Sequence, residues 1–226
     1  TKEAIAHALS GSFSLFATPK NFNNEIGVPL TILGVDRPPG RSLVRWIRLL
    51  FRALRLCIFA PNYPRVLVLE MGVDRPGDMA YLVSIVRPDI AVETGGASAH
   101  IEFFGTREAI AQEKGKLVEA LAPDGVAVLN ADNRYSWAMR HKAPSKVIGY
   151  GFGKRSALRA FNDSIVLEGR LAGMTLKIEH KDHVIPLRLK YVIARHHIEA
   201  VLAALAVCDA LELPFLEMVR RLEDFQ

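Results

Sequence analysis

"RVLVLEMGVDRPGDMAYL", residues 65–82, is the stretch that decides the fold. Val66 to Leu69 run without a polar break, as a strand buried on both faces of a sheet does. The run ends in Glu70, and Gly72, Pro76 and Gly77 then punctuate a loop before a helical pattern resumes. A buried strand that passes through a loop into a helix is the opening of a β-α-β unit. Glu70 raises a second question. A carboxylate at the end of a buried strand is costly unless a cation or hydrogen bonds offset it, so its placement marks a candidate site.

Working outward, apolar or β-branched runs recur at "FSLFAT" (13–18), "IAVETGG" (90–96), "GVAVLNAD" (125–132) and "KVIGYGF" (146–152), separated mostly by helical patterns. This alternation predicts an α/β fold with a mainly parallel sheet flanked by helices. Ligands of such sheets lie beyond the carboxyl ends of the strands, where Glu70, Thr94, Asn130 and Asp132 fall. Over 158–190 the period changes to two, and Gly169, Gly173 and Lys181-Asp182 break the segment into short antiparallel strands, read as a small antiparallel β subdomain. "ARHHIEAVLAALAVCDAL" returns to helix, and Pro214 opens a last helix toward Phe225.

The 226 residues, 50% hydrophobic and 23% charged, suffice for a large α/β domain with a substantial core and argue against disorder. A net charge of +5 suits anionic ligands such as nucleotides, and no motif points to nucleic acid as a partner. Cys57 and Cys208 have neither metal-ligand spacing nor disulfide density, which fits a reducing cytoplasm. "TKEAIAHAL" carries charges where a signal peptide needs a sustained apolar stretch, and reads as a short helix. Because it starts without Met and with no strand before it, the chain is expected to be a fragment.

One helix is unusual. In "RSLVRWIRLLFRALRLCIF", Arg41, Arg45, Arg48, Arg52 and Arg55 form one cationic stripe, with Trp46, Leu49, Leu50 and Phe51 on the other sides. Five arginines exclude an ordinary membrane span. The pattern fits either a solvated basic face or a helix lying on an anionic membrane surface.

Glu70 and His100 offer a carboxylate and an imidazole from different strand ends, ligand types a cation site needs, although a histidine after a Gly-rich loop also serves as a cap. "TREAIAQEKGKLVEAL" reads as a helix capped by Thr106, with Ile110, Leu117 and Leu121 toward the core and Lys114 as an ordinary surface lysine. "NFNNEIGVPL" is a loop with exposed amides, Asn23 and Asn24 among them, explained equally by loop punctuation and by ligand binding. His196 and His197 open a helix, where they either stack on a base or cap.

In their order and wording, "TKEAI", "NFNNEIGVPLTIL", "VLEMGVDRPGDMAYL", "AHIEFFGTREAIAQEKGKLVEAL", "GVAVLNAD" and "LAALAV" resemble the central domain of the Mur ligase family, from residue 1 to about residue 207. The resemblance implies a P-loop-type nucleotide-binding domain occupying 1–226, with the phosphate loop and the N- and C-terminal ligase domains outside the chain. It implies a ligase of peptidoglycan precursor synthesis that uses ATP and Mg2+ to make an amide bond through an acyl phosphate, joining D-alanyl-D-alanine to a UDP-muramoyl-tripeptide. The chain is then a cytoplasmic monomer, inactive by itself. By the same resemblance Glu70, His100 and Lys114 are the magnesium-site residues, Lys114 after carbamoylation, with His100 and Lys114 catalytic. Asn23 and Asn24 lie near the reacting substrate, and Asn130, Asp132, His196 and His197 near the nucleotide. The chain departs from the family at 196–200, where His-Asn-x-x-Asn is replaced by His-His-Ile-Glu-Ala. Two other readings stand beside this one: a Mur-type ligase for another amino acid, and a non-catalytic module docking on membranes or partners through the 41–55 helix.

Overall fold

One parallel strand pair begins the architecture. A computed structural model of the chain describes residues 1–20, 22–59, 62–95, 101–168, 171–190 and 192–225. Asn21, His100 and Gly169 lie outside them. Helix α1 (Lys2–Leu9) leads into strand β1 (Leu15–Ala17), which pairs in parallel with β2 (Val66–Val68) in the register Leu15 to Val66 and Ala17 to Val68. Between them lie α2 (Gly27–Ile32) and α3 (Leu43–Ile58), and after β2 comes α4 (Asp78–Ile85).

The second sheet has six strands in sequence order: β3 (Ile90–Glu93), β4 (Val126–Asn130), β5 (Lys146–Gly151), β6 (Leu158–Glu168), β7 (Leu171–His180) and β8 (His183–Lys190). β3, β4 and β5 are parallel, as their near-continuous apolar runs predict. β6, β7 and β8 are antiparallel to one another, as expected over 158–190, but they are long strands, and Gly173 does not break them: it lies inside β7, paired with Lys190. Nor do they form a sheet of their own, because β6 joins β5 at Tyr150–Leu158 and Gly151–Arg159 and so extends the parallel sheet. The β7–β8 turn is Lys181-Asp182 alone, with Lys181 at φ 54° and His180 paired to His183.

Helices α5 (Ile101–Phe104), α6 (Arg107–Glu119), α7 (Arg134–Ala138), α8 (Arg195–Ala210) and α9 (Phe215–Leu222) complete the fold. β4 shows why both faces of the sheet are covered. Val126 and Val128 join a core with α1, α8 and α9, while Ala127 and Leu129 join a second core with Val118, Leu121 and Met139. That is the two-residue period of a strand applied to a fully buried run. α8 is buried from Val201 through Cys208, and its alanines let it lie close against the sheet. α9 begins after Pro214, as expected, and ends at Leu222, where Glu223 N–H bonds back to the Arg220 carbonyl.

Candidate active site

The parallel β1–β2 pair ends with Thr18 and Glu70 at one edge. Thr18 Oγ1 donates to the Val68 carbonyl at 3.3 Å and accepts the Glu70 N–H at 2.8 Å, tying the two strand ends together. The Glu70 carboxylate is partly exposed: Oε2 lies 3.0 Å from the Lys2 ammonium and Oε1 accepts the Asn23 side-chain amide at 3.3 Å. Lys2 also donates to the Lys20 carbonyl oxygen. Among the described residues, therefore, the cation that offsets Glu70 is Lys2, the second residue of "TKEAI", which sequence reasoning had placed only in a helix.

The loop holding Asn23 is built tightly. Gly72 N–H donates to the Asn23 carbonyl at 2.8 Å, and Asn24 Oδ1 accepts Gly27 N–H at 2.9 Å and Ile26 N–H at 3.3 Å at the start of α2. A Cβ on Gly27 would stand 2.4 Å from the Phe22 backbone, so only glycine lets the chain fold back this closely. An open groove of about 780 Å³ runs beside this loop, lined by Asn23, Asn24, Gly72, Asp78, Tyr81 and Phe103.

At the end of β3, Glu93 is 6% exposed. Its Oε1 accepts Gly95 N–H at 2.9 Å and lies 3.3 Å from the Lys114 ammonium. α6 presents Lys114 because Thr106 Oγ1 caps it, accepting Ala109 N–H, and because Ile110 and Val118 are buried, as the sequence predicts for Thr106 and Ile110. Neighbouring Glu113 points the other way and accepts Met79 N–H at 3.0 Å and the Lys116 ammonium at 2.6 Å. Burial works to raise its carboxyl pKa, but hydrogen bonds from Lys116 and from the Gly77 and Met79 backbone outweigh it, and the net shift is downward.

The ends of β4 and β5 form a third corner. Asn130 Oδ1 accepts Asp132 N–H at 2.9 Å, and the Asp132 carboxylate accepts Phe152 N–H at 2.5 Å and Gly153 N–H at 2.9 Å. α8 brings His196 and His197 here with ring centroids 4.1 Å apart, and the Arg195 guanidinium lies 4.2 Å above the Phe152 ring. Burial, and then the nearby Asp132 charge, push the Glu199 carboxyl pKa up. The His197 Nδ1 is buried without a hydrogen-bond partner among the described residues.

The structure thus brings Asn23 to Glu70, Lys114 to Glu93, and Asp132 to the start of α8. Asn24, Asn130 and Asp132 spend side-chain oxygens on backbone N–H groups, so each shapes its loop. His100, expected beside Glu70, lies outside the described residues, and among those described no cluster of three or more His, Cys, Asp or Glu side chains is placed to hold a metal. Glu93, Lys2 and Thr18 were not anticipated. Only Glu93 left a signal, as the one acid closing the apolar strand "IAVE".

The fold and this edge define an open α/β protein whose carboxylate, amide and ammonium groups gather at the carboxyl ends of parallel strands. The chain belongs to the Mur ligase family: the Mur ligase middle domain matches residues 52–208. It is 35% identical over 156 residues to the UDP-N-acetylmuramoyl-tripeptide–D-alanyl-D-alanine ligase of Mycobacterium leprae, covering 69% of this chain and 25% of that protein. It is 33% identical over 132 residues to the same-named ligase of Escherichia coli, covering 58% of this chain and 24% of that protein. Among solved structures, the MurF ligase of Thermotoga maritima in complex with ADP superimposes with a TM-score of 0.76 at 27% identity, over all of this chain and 45% of that one. MurF of Acinetobacter baumannii, at 22% identity and a TM-score of 0.78 over all of this chain and 43% of that one, shares the fold. The chain spans about a quarter of the length of the first two relatives.

Proposed function

We propose that this chain is the nucleotide-handling core of an ATP-dependent ligase that joins D-alanyl-D-alanine to a UDP-muramoyl-tripeptide in the cytoplasm, acting as a monomer. The observation that carries the reading is Glu70, held at the sheet edge by Thr18, Lys2 and Asn23 within a Mur ligase fold. The reaction must bring an anionic carboxylate to an anionic phosphate, so positive charge has to be fixed at the meeting point.

The donor set suits a magnesium ion. The Glu70 and Lys20 oxygens already converge on one cation, the Lys2 ammonium, and both are hard oxygen donors. In this reading Glu70, His100 and carbamoylated Lys114 hold Mg2+, which neutralises phosphate charge when bound. Lys2 adds a fixed ammonium at the same edge. Asn23 orients Glu70 and, with Asn24, presents the loop toward the substrate carboxylate. The substrate carboxylate takes the terminal phosphoryl group of ATP, releasing ADP, and the dipeptide amine then displaces phosphate from the resulting acyl phosphate, losing a proton as the amide bond forms. Asn130 and Asp132 shape the nucleotide corner, while His196 and His197 flank the base.

The test is ATP-dependent phosphate release by the full-length protein with UDP-muramoyl-tripeptide and a panel of amines. Stimulation by D-alanyl-D-alanine above single amino acids is expected. Stimulation by another amine alone would assign a different Mur-type ligase.

A further inference from the structure

Helix α3 stands apart from this edge, and its orientation carries a second function. At 100° per residue, Leu43, Ile47, Leu50, Phe51, Leu54 and Ile58 share one sector of the helix. Arg45, Arg48, Arg52 and Arg55 fill the adjoining sector, and Leu49, with half-buried Ala53 and Leu56, lies on the remaining side. Leu49 is the one buried residue of the helix, so α3 packs on the body through that side and turns its large apolar side chains outward. Leu50 is 66%, Phe51 68% and Leu54 56% exposed. An apolar stripe this continuous on a surface marks an interaction site.

Charge identifies the occupant. From Arg37 to Arg65 the chain carries seven arginines and no acidic residue. Among the described residues none of Arg41, Arg45, Arg48 and Arg55 meets a carboxylate, whereas Arg52 donates to the Leu33 carbonyl. A second copy docked stripe to stripe would set arginine rows beside each other. A bilayer surface bearing anionic phospholipid satisfies both sectors at once: apolar side chains enter the acyl boundary while the guanidinium groups meet headgroup phosphates. Trp46, whose indole N–H donates to the Gly40 carbonyl, lies at the edge of the apolar sector where interfacial tryptophans sit. No described helix is long and apolar enough to cross a membrane.

We propose that α3 lies in the plane of an anionic phospholipid bilayer, with its Leu50–Phe51–Leu54 face inserted and its arginine row on the headgroups. The inference is independent of the ligase reading, because its assay contains no nucleotide or ligase substrate. The experiment is co-sedimentation of the full chain with phosphatidylcholine vesicles with or without about one-third phosphatidylglycerol, at low and high salt. The expected result is binding to the anionic vesicles that falls at least about tenfold at high salt and about tenfold in each of two variants, L50S/F51S/L54S and R45Q/R48Q/R55Q. These side chains are exposed, and an unchanged circular dichroism spectrum shows that each variant folds. Equal binding to both vesicle types, absence of binding at low salt, binding unchanged by either variant, or a dimer in vesicle-free light scattering that L50S/F51S/L54S abolishes would each overturn the proposal.

Discussion

Lys114 Nζ lies 3.3 Å from Glu93 Oε1, and both side chains are largely removed from solvent. Removing one partner of such a pair leaves the other charge buried, whereas replacing both with apolar side chains removes the cost as well as the gain. Lys114→Met is therefore expected to destabilise the chain by roughly 3 kcal/mol, and Glu93→Met/Lys114→Met together to recover most of that loss. Urea unfolding of the two variants checks this. A double variant no more stable than Lys114→Met would show that Glu93 is held chiefly by Gly95.

The same pair bears on the proposed carbamoylation. Addition of CO2 to the Lys114 amine, with loss of a proton, would place a carbamate anion beside the Glu93 carboxylate. A divalent cation held at this edge would offset that repulsion. With 13C-labelled bicarbonate, the lysine carbamate resonance should be weak without Mg2+, grow with Mg2+ and nucleotide, and be absent in Lys114→Arg. A full signal without Mg2+, equal in wild type and Glu93→Gln, would contradict this.

Much of the framework was legible because hydrophobic periodicity is a local signal. The five apolar runs became β1 to β5, and the Lys181-Asp182 turn is where the change of period put it. The cap at Thr106 and the buried Ile110 were readable for the same reason. What periodicity could not supply was pairing over distance. Lys2 meets Glu70 across 68 positions, and Glu93 meets Lys114 because α6 folds back over β3. Nor did the arginine row of α3 reveal which side faces the body. That depends on Leu49, Ala53 and Leu56 finding a surface, which the helix's own sequence does not contain.

Two carboxylates should give opposite pH signatures. Glu113 has its pKa held below the ordinary 4.5, so it adds stability above that value that is lost as pH falls through the folded-state pKa. Glu113→Gln should lower the melting temperature at pH 7, by a margin that closes in acid. Glu199 has its pKa raised above 4.5, so the folded state bears a cost that appears as pH rises from 4.5 through the folded-state pKa. Glu199→Gln should raise the melting temperature at pH 7, with the gain vanishing below pH 4.5. Thermal scans from about pH 2 to 8 test both, and a Glu199→Gln gain that persists unchanged into acid would remove the electrostatic explanation.

Glu70→Gln separates charge from shape at the sheet edge. The amide keeps an oxygen toward Asn23 but gives up the charge facing Lys2. In the full-length protein, Mg2+-dependent phosphate release should fall on the order of 100-fold, the upper end of what even groups supporting a metal ligand cost when removed. Raised Mg2+ should recover part of the rate. A rate unchanged at limiting Mg2+ would take Glu70 out of the proposed metal site.

Gly27→Ala tests whether the asparagine loop is set by backbone approach. The added methyl would lie 2.4 Å from the Phe22 backbone, which belongs to the chain carrying Asn23, so the loop itself has to move. That movement breaks the Asn24 cap on α2 and the Gly72 N–H bond to the Asn23 carbonyl, the two contacts that aim Asn23 at Glu70. A lost cap alone costs about 1 kcal/mol, and strain of this kind adds a further 1–3 kcal/mol. In urea the variant should unfold correspondingly earlier, and in the full-length protein its KM for the muramoyl substrate should rise more than for ATP, because in the proposed reading the loop faces the substrate carboxylate. Asn24→Ala, which breaks the cap without the clash, should show the same KM split with a smaller stability loss. Equal KM changes for both substrates in both variants would mean the loop serves the fold and not the substrate.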